Sequence, residues 1–133
     1  MYDNDLILYI LMRSDMKSMN PGKAMAQAAH AANHLVYKAG MDAVEQKRVN
    51  LWLGQAGGFG TTIVLDVGNE ETLLKYMAKL TNLNETICGI TLDPTYPLID
   101  GDCLHLIPVS TCGYVFGYKN DLEPHLQGLS LYD

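Results

Sequence analysis

Apolar and polar positions along this chain follow two periods. Leu6-Ile7-Leu8-Tyr9-Ile10-Leu11-Met12 is apolar without a break, the pattern of a strand covered on both faces. A polar loop, Arg13 to Met19, ends at Asn20, a good N-cap, and Pro21 suits the first helical position. The alanine-rich stretch after it predicts a helix to about Lys38 or Ala39, with Gly40 as its stop. A second helix is expected from Asp42 to Leu53, with Val44, Leu51 and Trp52 as its apolar contacts, and the glycine-rich run Gly54–Gly60 breaks it. Thr61–Val67 is β-branched and reads as a second strand. Gly68-Asn69 is a turn and cap, and Glu70 to Asn82 reads as a helix with Leu73, Leu74, Met77 and Leu80 on one side. Thr86–Leu92 predicts a third strand, Asp93-Pro94-Thr95-Tyr96-Pro97 a rigid loop, and Cys103–Val109 a fourth strand ending, or lying at an edge, near Pro108. The tail from Ser110 has weak periodicity. It suggests a short strand at Tyr114–Gly117 and a turn near Asp121–Leu126.

The predicted order is β-α-α-β-α-β-β. Helical connections between the first three strands imply parallel pairing for some of them, and the short link between strands three and four implies an antiparallel pair. The fold class is therefore α/β: a three-layer α/β/α sandwich on a small mixed β-sheet of about four strands. The length, 133 residues, fits one domain over 1–133.

Charge then narrows the partners. The net charge is −6, and Arg13, Lys17, Lys23, Lys38, Lys47 and Arg48 hold six of the nine cations in the first 50 residues. A nucleic acid would have to meet that part of the chain. No apolar run approaches a membrane span, and the acidic start, Met1–Asp5, is unlike a signal peptide. No membrane partner and a cytoplasmic location are expected. Cys88, Cys103 and Cys112 show no C-x-x-C spacing and read as free, mostly buried thiols.

The candidate chemistry lies on the first helix. Lys23, Gln27, His30 and His34 are spaced 4, 3 and 4 apart and share one stripe. Such a stripe is also what an ordinary solvated face looks like, although the helix is nearly all alanine otherwise. Asp93 follows the third strand, where open α/β sheets build their sites. Lysine can hold a phosphate or an oxyanion, glutamine can place water or a carbonyl, histidine can move a proton, and a carboxylate can activate water. With no serine or cysteine in the set, direct water attack is favoured over a covalent intermediate. His30 and His34 at i, i+4 would suit a metal, but no third ligand is evident. The expectation is no metal and no cofactor. The eight tyrosines could stack on bases, or be ordinary half-buried residues.

Arg13-Ser14-Asp15-Met16-Lys17 followed by Gly22-Lys23-Ala24-Met25-Ala26-Gln27-Ala28-Ala29-His30-Ala31-Ala32 resembles the signature of the archaeal/eukaryotic-type peptidyl-tRNA hydrolases, the second peptidyl-tRNA hydrolase family, R-x-D-L-K-M-x-x-G-K-x-A-A-Q-x-x-H-A-A. Ile63–Val67, the Glu70-Glu71-x-Leu73-Leu74 helix and Leu92-Asp93 match its later elements, so the resemblance spans roughly residues 6–109. It implies metal-independent hydrolysis of the ester joining a peptide to the 3′ end of tRNA, on an α/β/α sandwich. Carried over, Lys23, Gln27, His30 and Asp93 are the catalytic candidates. Arg13, Lys17, Asn20, Gly22, Thr95 and His105 are the substrate-binding candidates, and the acceptor end of peptidyl-tRNA is the partner.

The chain departs from the family pattern after the aspartate. Pro94-Thr95-Tyr96-Pro97 stands where the family reads A-G-x-T, which puts Pro97 at a threonine position and leaves Thr95 as a substitute. A later family threonine falls on His105, and Asp100-Gly101-Asp102 replaces an A-P-G turn. Two other readings follow: a family member that binds tRNA or protein without turnover, and a hydrolase of another small ester or amide. An apolar helix face or the tyrosine-rich tail offers a surface for a homodimer.

Overall fold

A computed structural model of the chain describes residues 5–133; most of the acidic start lies outside the described residues. The elements are β1 (Leu6–Arg13), α1 (Pro21–Ala39), α2 (Ala43–Gln55), β2 (Thr62–Gly68), α3 (Glu70–Leu80), β3 (Ile87–Asp100), β4 (Cys103–Tyr118), α4 (Lys119–Leu126) and β5 (Ser130–Leu131). The sheet order is β3-β4-β1-β2-β5, with β1 and β2 parallel and the other pairs antiparallel. The sheet thus has five strands rather than about four, because β5 adds a two-residue edge beside β2.

The unbroken apolar run of β1 is explained by two cores. Leu6, Leu8, Ile10 and Met12 face the layer of α1 and α2, while Ile7, Tyr9 and Leu11 face that of α3 and α4. Side chains alternate across a strand, so both sets must be apolar when both faces are covered. On α2 the expected contacts are corrected. Val44 and Leu51 are exposed, and Val49 and Trp52 are buried. Trp52 sets the helix rotation: its ring meets Phe116 edge-on at 5.4 Å and its indole N–H donates to the Thr61 carbonyl at 2.8 Å. Leu73, Met77 and Leu80 of α3 are buried as expected, but Leu74 is exposed and the helix ends at Leu80.

The largest departure is the β3–β4 hairpin. Asp93–Pro97 is not a loop; it belongs to a 14-residue β3 that pairs with a 16-residue β4. Prolines at 94 and 97 are tolerated because β3 is the edge strand. Pro108 lies inside β4, not at its end, in the part that has β3 on one side only; β1 pairs with Cys112–Tyr118 and stops there. Tyr114–Gly117 is therefore the C-terminal part of a long strand, paired with both β1 and β3, and the expected turn at Asp121–Leu126 is α4, which buries Leu122 and Leu126. Of the three free thiols only Cys112 is buried; Cys103 is exposed at the hairpin turn. Among the described residues no helix is long and apolar enough to cross a membrane.

Candidate active site

The site lies where the first half of α1 crosses β3 and β4. Asn20 accepts from the Lys23 backbone N–H at 2.9 Å and starts the helix. One face of α1 then packs on the sheet through Ala24, Gln27, Ala31 and Leu35. Gln27 is only 4% exposed, so this member of the polar stripe is a core residue rather than part of a solvated face. Its Nε2 donates to Asp93 Oδ2 at 2.7 Å, and its Oε1 accepts from the Thr111 hydroxyl at 2.7 Å.

Two irregularities in the hairpin aim these groups. Thr91 pairs with Cys112 and Leu92 with Ser110, so Thr111 is an extra residue in β4. A bulge re-aims side chains. Here it lets two consecutive residues face α1, with Thr111 on the Gln27 side chain and the Cys112 thiol 3.7 Å from the Gln27 carbonyl. The second bulge is in β3. Asp93 pairs with Val109 and Tyr96 with Ile107, three steps on one strand against two on the other. Asp93 and Tyr96, which would face opposite ways in a regular strand, both turn toward α1.

Asp93 Oδ1 also accepts from the Thr95 backbone N–H at 2.9 Å. Partial burial pushes the Asp93 carboxyl up. The hydrogen bonds from Gln27 and Thr95 and the nearby His30 outweigh it, and the group titrates below its ordinary value. His30, Thr91, Leu92, Asp93, Pro94 and Thr95 line an open cleft of about 290 Å³. The ammonium of Lys23 is not bonded to Asp93. It lies over the ring of Tyr96, 5.5 Å from the centroid, and the Tyr96 hydroxyl shares a hydrogen bond of 3.0 Å with Ser18.

The other candidates are dispersed. His34 Nδ1 lies 3.3 Å from the Tyr114 hydroxyl, away from His30's cleft, and among the described residues no group of three or more His, Cys, Asp or Glu could hold a metal. Arg13 is occupied by Asp15 at 3.0 Å, Glu70 at 3.4 Å and the Ser110 carbonyl at 3.0 Å. It ties the end of β1 to α3 and to the root of the hairpin. Lys17, Asn20 and Gly22 are exposed around the start of α1. Pro97 pairs with Leu106, one register step beyond Tyr96. His105 is exposed opposite Leu98, about 13 Å along β4 from the residue that faces Asp93. Thr111 and Tyr96 are the site residues that sequence reasoning missed. Their signal, a hydroxyl beside a bulge, exists only once the strand register is known.

An ionised carboxylate braced by a buried amide, with an imidazole at the same cleft and an ammonium on the same helix as amide and imidazole, lies where α1 of this α/β/α protein crosses the hairpin. The family model described as Peptidyl-tRNA hydrolase PTH2 matches residues 6–93. The chain belongs to that family. No curated protein matches it. The matched region contains Lys23, Gln27, His30 and Asp93 and ends at that aspartate; the distal hairpin and Thr111 lie beyond it.

Proposed function

We propose that this protein hydrolyses the ester between a peptide, or an N-blocked amino acid, and the 3′ end of tRNA, in the cytoplasm and without a metal or cofactor. The observation that carries the reading is the 2.7 Å Gln27–Asp93 hydrogen bond inside the family-matched region. Asp93 keeps lone pairs free for a water in the cleft and takes a proton as the water oxygen bonds to the ester carbon. The Lys23 ammonium steadies the negative charge that develops on the carbonyl oxygen. Gln27 holds the base in place, because its amide is committed to Asp93 and Thr111. The carbon–oxygen bond to the ribose then breaks. The peptide leaves as a carboxylate, and the ribose 3′ oxygen is protonated from the cleft, where His30 stands.

Lys17 and the open start of α1, at Asn20 and Gly22, face the phosphates of the acceptor end. The hairpin is poorly suited to phosphate binding. No Lys or Arg occurs between Lys79 and Lys119, and Asp100 and Asp102 flank its turn. The same acidic turn favours the second reading, binding without turnover.

The test is release of free tRNA from purified N-blocked aminoacyl-tRNA without added metal, with Lys23→Ala and Asp93→Ala alongside. Turnover in the parent, lost in both variants while both remain folded, supports the reading. Wild-type turnover in both variants would sink the assignments. Binding without turnover would establish the second reading. A small ester as substrate would show in kcat/KM that does not fall with salt, whereas phosphate contacts make it fall steeply.

A further inference from the structure

We propose that Tyr96 is a positioning residue for Lys23: its ring face holds the ammonium over the α1 side of the hairpin, and its hydroxyl, tied to Ser18, keeps the ring in that orientation. Lys23 is half-buried, and among the described residues it forms no ion pair. A lysine stem has many rotamers, and holding one costs entropy. Tyr96 supplies the counterweight. It is fully buried, with the Lys23 nitrogen 5.5 Å from its ring centroid. That is within the range in which the negative face of an aromatic ring attracts a cation. The ring is clamped at its far end by the 3.0 Å contact between its hydroxyl and Ser18, a residue of the segment that leads into α1.

The bulge in β3 makes this arrangement. It adds one residue between Asp93 and Tyr96 and so puts the base and the ammonium's support on one face of the hairpin. Without it, Tyr96 would point to the opposite side of the sheet. What Lys23 does in catalysis rests on the hydrolase reading; what holds it over the Tyr96 ring does not.

The experiment replaces Tyr96 with phenylalanine and with 3,4,5-trifluorophenylalanine, introduced during translation. The two rings have nearly the same shape, and fluorine drains the negative face. Reactivity of the Lys23 amine toward an acetylating reagent is followed by mass spectrometry at fixed pH without substrate, with thermal melts to confirm folding. Every other side chain is the same in both variants. Phenylalanine keeps the ring face but loses the Ser18 clamp, so reactivity should rise only modestly above the parent value. The fluorinated ring should raise it by about 2- to 30-fold and lower kcat more than it changes KM. Equal Lys23 reactivity in the phenylalanine and fluorinated proteins would overturn the proposal. If the parent shows no turnover, the labelling result still decides whether Tyr96 holds Lys23, and the failure falls on the hydrolase reading alone.

Discussion

The Thr111 hydroxyl donates to the carboxamide oxygen of Gln27 at 2.7 Å, and this sets which way the amide faces. Asp93 is ionised and can only accept, so the NH₂ end of Gln27 must turn to it and the oxygen must turn away. The three side chains form one chain of hydrogen bonds from the interior of β4, through α1, to the carboxylate at the cleft. A threonine that never reaches the cleft thereby orients the group that does.

Removing that anchor should loosen the base. Thr111→Val keeps the shape but leaves the buried Gln27 oxygen without its donor, a loss of about 1–3 kcal/mol. The variant should melt at a lower temperature. Its kcat should fall by up to about 100-fold, the scale of a misplaced catalytic group. Thr111→Ser should restore most of the rate. A valine variant with parental kcat would show that Gln27 is held well enough by Asp93 alone.

The pH dependence follows from the same bonds. Asp93 titrates below its ordinary value in the folded protein, despite partial burial, because Gln27, Thr95 and His30 favour its charged form. A carboxylate depressed on folding adds stability above its unfolded pKa, near 3.9, and that contribution is lost as pH falls through the folded value. The acid limb of the rate profile should accordingly lie below about pH 4. Gln27→Glu puts a second carboxylate against the first, and the limb should move up by roughly a unit or more. A rate profile with the same acid limb in both proteins would remove Asp93 as the base.

Gly60 offers a control that separates stability from chemistry. Its φ is +72°, and a Cβ there would overlap the Trp52 ring. Gly60→Ala should destabilise the fold by about 1–3 kcal/mol through backbone strain and overpacking. The contact lies beside the start of β2, at the far end of β1 from the site, so kcat measured well below the melting temperature should be unchanged. A large drop in kcat would mean that the two ends of the sheet are coupled.

The elements near the family signature were legible because each carries a local cause. The Asn20 cap, the Pro21 start and the alanine run put α1 within a residue of where it lies, and the apolar run Leu6–Met12 marked a doubly covered strand. The stripe of Lys23, Gln27 and His30 was equally readable from spacing, whereas Asp93, expected just past a strand end, lies within β3. What local pattern could not show was the hairpin. Pro94, Pro97 and Pro108 all argue against a strand when judged one at a time. They are accommodated because β3 is an edge strand and the distal part of β4 has one partner. The tail was opaque for a similar reason: β5 is two residues whose only reason to be a strand is the edge of β2.

Local pattern was enough to set the layers and the helix that carries Lys23, Gln27 and His30, and the motif's resemblance pointed to the family. These depend on periodicity, caps and residue types that act within a few positions of one another. The connections among those groups come from the folded sheet: Gln27 rather than Lys23 braces Asp93, Thr111 braces Gln27, and Tyr96 lies beneath Lys23. Each of those contacts depends on strand register. A single extra residue in β3 or β4 turns a side chain from one face of the sheet to the other, and only the paired strand shows where that residue falls.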